Sequence, residues 1–280
     1  LNTILEARAL RKPGAEAGDA PGKLTTGFDR ERADRYEDAS RNVPGARDNE
    51  RRRVEEALQR LGRTRYDSIL ELGIGQGFAT PTLLKYLDPQ GTLLGIDASS
   101  HMQKKIGEDP RIQLHVGAID ELQLPADSID LAFTLAAFHH VPNKFLTLNE
   151  LRRVLRPLSH FLIVDVNHGS QAQETFDYIV RPHCHSGHDA DFLDEEWARL
   201  LARRSGLEHV SSSVESADWV FSTEDELLGY VKDLFCLEPD TAQLKPLVDR
   251  ILKPHRCADT GRWVLPWSLG FHLLRKPASA

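Results

Sequence analysis

Ile69-Leu70-Glu71-Leu72-Gly73-Ile74-Gly75-Gln76-Gly77-Phe78-Ala79-Thr80 is the stretch whose reading decides the fold. An apolar run (Ile69, Leu70, Leu72) ends in glycines at three alternate positions, and Leu83, Leu84 and Leu87 follow at helical spacing. This pattern predicts a strand, a tight turn and a helix, the arrangement in which a ligand lies over a helix N-terminus. Glycine suits such a turn because a Cβ would forbid the backbone conformation or block close approach of the ligand. A dinucleotide fingerprint, G-x-G-x-x-G, would need glycine where this chain has Phe78. The third glycine comes one place early, at Gly77, so the turn is not built for a pyrophosphate.

Outward from that turn, residues 67–166 alternate between short apolar runs and helical patterns. Strands are predicted at Ser68–Leu72, Thr92–Ile96, Ile112–Val116, Ile129–Thr134 and His160–Val166, with helices near Thr80–Tyr86, Ser100–Ile106 and Lys144–Leu155. Such alternation gives a parallel sheet with right-handed crossovers, whose ligands bind beyond the C-terminal strand ends. Asp97 ends the second strand, about twenty residues past the glycines, where an acid can accept both hydroxyls of a ribose. Its other reading, a helix N-cap, is weakened by Ser99 and Ser100, which are available for that role.

Several phrases then occur in order. They are E-x-G-x-G-x-G at 71–77, G-I-D-A-S ending in Ser99, V-G-A-I-D-E-L-Q-L-P from Val116, D-S-I-D-L-A-F-T-L-A-A-F-H-H-V from Asp127, and L-R-P-L-S from Leu155. Together they resemble the motifs of class I methyltransferases that use S-adenosylmethionine (SAM). The resemblance implies an α/β, Rossmann-like fold: a mainly parallel seven-stranded sheet with an antiparallel last strand, under a helical cover. It implies SAM as cofactor, held by Glu71, Gly73, Gly75, Gly77 and Asp97, with Glu71 favouring a cationic ligand. Met102, the one methionine in the sequence, matches the position of an apolar residue against the adenine, although a methionine on a helix also serves as core. Family members often read G-D-A-E-x-L-P after the third strand, and their Asp bonds the adenine amino group. Here that residue is Ala118, so recognition falls to the backbone of Ala118 and Ile119. Leu135 is implied near the methionine part of SAM. His139 and His140 are implied where donor and acceptor meet, either as general base or as structural histidines capping carbonyls. L-R-P-L-S matches an L-x-P-G-G turn with both glycines replaced.

The flanks are less specific. Residues 1–22 read as a flexible leader and 23–66 as cover helices, while 67–280 form the SAM-binding domain with helical insertions near 167–205 and 218–260. F-D-x-x-x-A-x-x-Y at 28–36, followed by V-P-G, resembles the cover helices of small-molecule methyltransferases and the opening of carboxy-SAM synthases of the tRNA-wobble route. Tyr36 in that run either closes over the ligand or packs at a junction. Arg181-Pro182-His183-Cys184-His185-Ser186-Gly187-His188-Asp189 is the most unusual phrase. Its spacing is poor for a metal, even with Asp165, His168, His255 and Cys257 as possible partners, so no metal site is expected. Arg181, His183 and His185 are expected to line the acceptor pocket. Residues 192–206 predict an amphipathic helix and Leu207–Val214 a strand. Trp219, Phe221, Leu227, Leu228, Tyr230 and Val231 recur at helical spacing, and residues 263–275 form a last strand.

Composition limits the function classes. A net charge of −7 argues against a general nucleic-acid binder. Three widely spaced cysteines do not suggest a disulfide framework. No apolar run approaches the ~20 residues that span a bilayer, and no signal-peptide h-region is seen, so a cytoplasmic location is expected. The reading is therefore methyl transfer from SAM to a small-molecule acceptor, with no membrane partner and an unreadable oligomeric state. Two alternatives stay open: a carboxy-SAM synthase, which would need an arginine such as Arg41 or Arg181 for a second carboxylate, and a non-catalytic SAM-fold protein, suggested by Ala118.

Overall fold

Strand β1 (Tyr66–Leu72) is buried at every position except Asp67, as expected of a central parallel strand covered on both faces. The structure is a computed structural model that describes residues 29–184 and 187–278. The expected leader over 1–22 and the candidate His185 lie outside the described residues. Helices α1 (Arg30–Asn42) and α2 (Asp48–Arg60) precede β1. After it come α3 (Thr80–Leu84), β2 (Leu87–Asp97), α4 (Ser100–Gln103), β3 (Ile112–Val116) and β4 (Ile129–Leu135). Then follow α5 (Lys144–Val154), β5 (Leu155–Asp165) and α6 (Gln171–Thr175), which runs on as a π segment (Phe176–Val180) and one turn (Arg181–His183). The remainder is α7 (Glu195–Arg204), β6 (Glu208–Ser216), β7 (Trp219–Phe221), α8 (Glu224–Leu234), α9 (Thr241–Ile251), β8 (His255–Arg256), β9 (Trp263–Leu265) and β10 (Ser268–Arg275).

Seven strands form the main sheet in the order β3-β2-β1-β4-β5-β10-β6. β10 is antiparallel to both neighbours, and the first five strands pair in parallel. The strand order reverses between β1 and β4, and a crevice opens at such a point above the strand ends. One face buries Leu70, Leu72, Leu94 and Phe161 against Leu148 and Leu151 of α5 and Ala198 and Ala202 of α7. The other face buries Ile69, Leu131 and Phe133 with Val54 and Leu58 of α2, Leu83 of α3, and the inner sides of α8 and α9. Phe133 has no exposed surface, and truncating such a side chain to alanine costs about 3–5 kcal/mol.

A buried ionic knot ties the cover to the sheet. Arg47 donates to Glu50 and to the Tyr36 hydroxyl, and Trp219 Nε1 donates to the other Glu50 oxygen at 2.6 Å. The guanidinium groups of Arg47 and Arg51 each lie 4.1 Å from the ring centroid of Phe78. The residue that breaks the dinucleotide pattern is therefore a platform for two cations of α2 and its N-cap.

Two predicted elements need correction. Trp219 and Phe221 do not continue a helix: both are fully buried with Val220 only partly so, a period of two, and they pair with β9 in a small β7-β9-β8 sheet. The helix starts later, where the Thr223 side chain caps α8. The expected last strand over 263–275 is two strands. Pro266 has no N–H for a ladder, and Trp267 turns away by donating to Asp218 Oδ1 at 3.0 Å.

Candidate active site

The glycine turn is held by the end of β2. Gly73 N and Ile74 N both donate to the Ile96 carbonyl, at 2.8 and 3.1 Å. Gly73, Gly75 and Gly77 have φ of +65°, +55° and +79°, which side chains disfavour. At Gly73 contact adds to conformation, since a Cβ there would lie 2.2 Å from the Ala137 Cβ. That contact joins the turn to the segment after β4.

Asp97 fixes the second side of the turn. Its Oδ2 accepts from Gly75 N and its Oδ1 from Ser99 N, both at 2.8 Å. Ser99, not Asp97, caps α4, accepting from Met102 N. Burial raises the Asp97 carboxyl above its ordinary range. Met102 is buried, and its methyl carbon lies 3.4 Å from where a Gly75 Cβ would stand. Gln76 Nε2 donates to the Ala33 carbonyl of α1 at 2.7 Å, bringing the cover onto the turn. Beyond β3, Gly117 N donates to the Asp97 carbonyl at 3.0 Å, placing the exposed Ala118 and half-buried Ile119 beside this strand end. Beneath the turn, Glu71 is buried and accepts from Thr80 Oγ1 at 2.8 Å. Burial pushes its carboxyl up to about 8.

The end of β4 supplies the other half of the site. Leu135 is its last residue, half-buried and registered against Val164. Ala136 follows with φ +51°, a conformation unusual without glycine and often found at functional sites. The chain then makes a 3-10 turn, Phe138–His140. His139 Nδ1 lies 2.7 Å from Asp165 Oδ1 at the end of β5, and His139 N donates to Asp165 Oδ2 at 3.0 Å. Val166 N also donates to Oδ1. With a carboxylate as partner, Nδ1 is the donor nitrogen, and Nε2 is the ring nitrogen directed away from Asp165. His140 and His188 stand against His139, with ring centroids 4.1 and 5.3 Å from it. Phe176, the first residue of the π segment, lies 4.7 Å from the His188 ring. Burial drives the His140 imidazolium well below its usual range and pushes His188 down to about 2, helped by the other histidines and by Arg32. Both are neutral imidazoles.

Residues 70–163 match a family model described as a methyltransferase domain. The chain carries a class I SAM-dependent methyltransferase domain. Within it, the chain is 35% identical over 94 residues to the trans-aconitate 2-methyltransferase of Deinococcus radiodurans, covering 33% of this chain and 35% of that protein. It is 26% identical over 106 residues to an arsenite methyltransferase of Halobacterium salinarum, covering 36% and 27%. The chain thus spans about a quarter to a third of the length of these curated relatives. A SAM-dependent methyltransferase from Aquifex aeolicus has the same fold, with a TM-score of 0.51 at 16% identity, over 88% of this chain and 98% of that one.

SAM is the cofactor of this methyltransferase class, and the residues at the turn fit it. A Cβ at Gly73 has no space beside Ala137, and one at Gly75 would stand 3.4 Å from the Met102 methyl, so both positions stay without side chains. The Asp97 carboxylate offers about four acceptor positions, of which the two backbone donors take one each. The remaining pair suits two ribose hydroxyls. Glu71 is a buried acid beneath the turn, and a cationic ligand above it would draw its carboxyl toward the ionised form.

Other candidates lie farther out. Tyr36 is half-buried and bonded to Arg47 within the cover. Arg181 is exposed, pairs with Asp177, and donates from Nε to the His188 carbonyl at 3.4 Å. His183 is half-buried, and its carbonyl accepts from Glu238 N. Among the described residues, the histidine of that phrase brought to the site is His188, not His183. Arg41 is exposed and paired with Asp38 on α1. Sequence reasoning missed the pairing of Asp165 with His139. Its signal was an acid ending the strand next to the one that carries the histidines. Among the described residues no helix is long and apolar enough to cross a membrane.

Proposed function

We propose that this chain transfers a methyl group from SAM to a small-molecule acceptor whose nucleophilic atom faces His139 and His140. The observation that carries the reading is the contact between the two halves of the site: the Asp97-bound glycine turn abuts Ala137, two residues before the histidine that Asp165 orients. SAM supplies an activated sulfonium methyl, so the protein's work is positioning and the exclusion of water. Glu71, Gly73, Gly75, Gly77, Asp97, Met102, Ala118, Ile119 and Leu135 line the cofactor side. Asp165 holds the proton on His139 Nδ1 and leaves Nε2 to receive a proton from an acceptor that must lose one. His140, kept neutral by burial, is a neighbour rather than a proton store. Tyr36, Arg181 and His183 belong to the surrounding cover in this reading.

A small acceptor is supported by the acidic net charge of −7 and by two relatives named for small acceptors, trans-aconitate and arsenite. Arg41 and Arg181 are exposed and already paired with carboxylates, which favours methyl transfer over carboxy-SAM chemistry. The test uses methyl-labelled SAM with a panel of small carboxylates, alcohols, amines and thiols. Label should move to one acceptor class. With that acceptor, His139→Ala should lower kcat by about 10²–10⁴-fold, and His140→Ala should also lower turnover much more than SAM affinity. Equal losses of turnover and SAM affinity would assign the histidines to the cofactor or the fold instead.

A further inference from the structure

Three histidines from two separate segments converge at the acceptor side of the site. His139, His140 and His188 each offer a ring nitrogen within 4.8 Å of the others. His139 and His188 are 5% and 6% exposed, yet His139 Nε2 and His188 Nδ1 have no hydrogen-bond partner in the structure. A buried imidazole nitrogen without a partner is desolvated with no bond to compensate, and two side by side need an explanation. A bound cation supplies one. His140 Nδ1 lies 3.2 Å from the Asp189 carbonyl, which puts its proton on Nδ1 and the lone pair on Nε2. His139 has the carboxylate-histidine arrangement that orients and strengthens a metal ligand, through Asp165 at 2.7 Å.

We infer that His139, His140 and His188 form a site for one divalent transition-metal ion of the zinc class, with an open position toward the acceptor. Three imidazole ligands that leave a fourth position to the acceptor match the ligand chemistry of catalytic zinc. Zinc–nitrogen bonds of about 2.0–2.1 Å put ligand nitrogens about 3.4 Å apart in a tetrahedron, so the cluster must contract. His140 is the half-buried member and has the most room to move. Asp165 supplies negative charge behind His139, and the Arg32 guanidinium stands near His188. That cation favours an anionic fourth ligand, an alkoxide, carboxylate or thiolate of the acceptor, whose proton passes to solvent. This last step rests on the methyl-transfer reading, whereas metal binding does not. His139 Nε2 cannot hold an ion and accept a proton together, so metal uptake moves proton loss from His139 to the ion-bound acceptor. The spacing within 181–189 hid the site because two of its ligands come from the turn after β4.

The test uses the full chain without a polyhistidine tag, stripped with chelator and titrated with Co²⁺ and then Zn²⁺. One equivalent of Co²⁺ should give the intense visible absorption of a four-coordinate ion, and Zn²⁺ should bleach it. His188→Ala should weaken uptake by at least about 100-fold, and Asp165→Asn by about 10–100-fold. His140→Gln, at the less buried position, gives the same reading if His188→Ala fails to fold. No uptake by the parent protein, or uptake untouched by these variants in folded protein, overturns the inference. S-adenosylhomocysteine binding is measured in parallel: binding without metal uptake retires the metal site alone, and absent binding retires the methyl-transfer reading.

Discussion

Asp97→Ala tests the cofactor side of the site with a magnitude set by hydrogen-bond count. Each carboxylate oxygen already accepts one backbone N–H at 2.8 Å, from Gly75 and from Ser99. Two lone-pair positions of about four therefore remain, one for each ribose hydroxyl. Charge-assisted bonds contribute about 1.5–3 kcal/mol each, but the space left by alanine admits water that recovers part of this. A net loss of about 1.5–3 kcal/mol follows, or roughly 10–150-fold in Kd. The fold should lose less, because Gly75 and Asp97 are half-buried and water entering the space left by alanine can take up the freed N–H groups. A cost of about 1 kcal/mol lowers Tm by about 2–4 °C in a chain of this size. Isothermal titration with S-adenosylhomocysteine near neutral pH measures the first effect, and thermal unfolding the second. Asp97→Asn, which keeps the volume and one acceptor oxygen, should fall between parent and alanine. A Kd unchanged in folded Asp97→Ala would refute the ribose role and leave Asp97 as a brace for the glycine turn.

Gly73→Ala should cost about 1–2 kcal/mol for its left-handed φ and about 1–3 kcal/mol for the collision with Ala137; unchanged Tm and cofactor affinity would disprove the contact between the two halves. Glu71, with its carboxyl near 8 in the folded protein, retains a proton that the unfolded chain releases near 4.5. The stability this brings is present below about pH 4.5 and is lost as pH rises toward 8, so Glu71→Gln should melt progressively higher than the parent between about pH 5 and 8 while binding SAM more weakly. Parallel melting curves across that window would show the carboxyl is not perturbed. Leu158 is 55% exposed at φ +66°, where an L side chain costs about 1–2 kcal/mol and glycine loses about 0.5–1 kcal/mol to chain entropy. Leu158→Gly should therefore raise stability by about 0.5–1 kcal/mol, and a lower midpoint in denaturant would contradict it.

Leu158 also shows what a motif reading can and cannot reach. The L-x-P-G-G turn was legible despite both glycine replacements, and the left-handed backbone that the pattern encodes persists with leucine bearing it. β1, β4 and the second halves of β2 and β5 were legible because they are short apolar runs, and burial on both faces enforces such runs. Strand ends were less so: β2 and β5 start earlier than their apolar cores, at Leu87 and Leu155, because backbone pairing continues through polar residues. Trp219 and Phe221 were misassigned since three residues with period two sit inside a longer pattern that also fits a helix. Their reason for being buried, the Glu50–Arg47 knot and the β9 ladder, lies far away in sequence. Glycine, acid and strand end are local signals, so the turn of Gly73, Gly75 and Gly77 and its neighbour Asp97 could be placed together. The acceptor side is assembled from β4, β5 and the 187–189 loop, and no local pattern joins His139 to Asp165 and His188.

The most direct measurement of the central claim is native mass spectrometry of the intact chain after incubation with SAM, followed by release and identification of the bound nucleoside. One nucleoside per chain is expected, SAM or S-adenosylhomocysteine. A carboxylated SAM, or a chain that carries no adenosyl compound at saturating SAM, would contradict it.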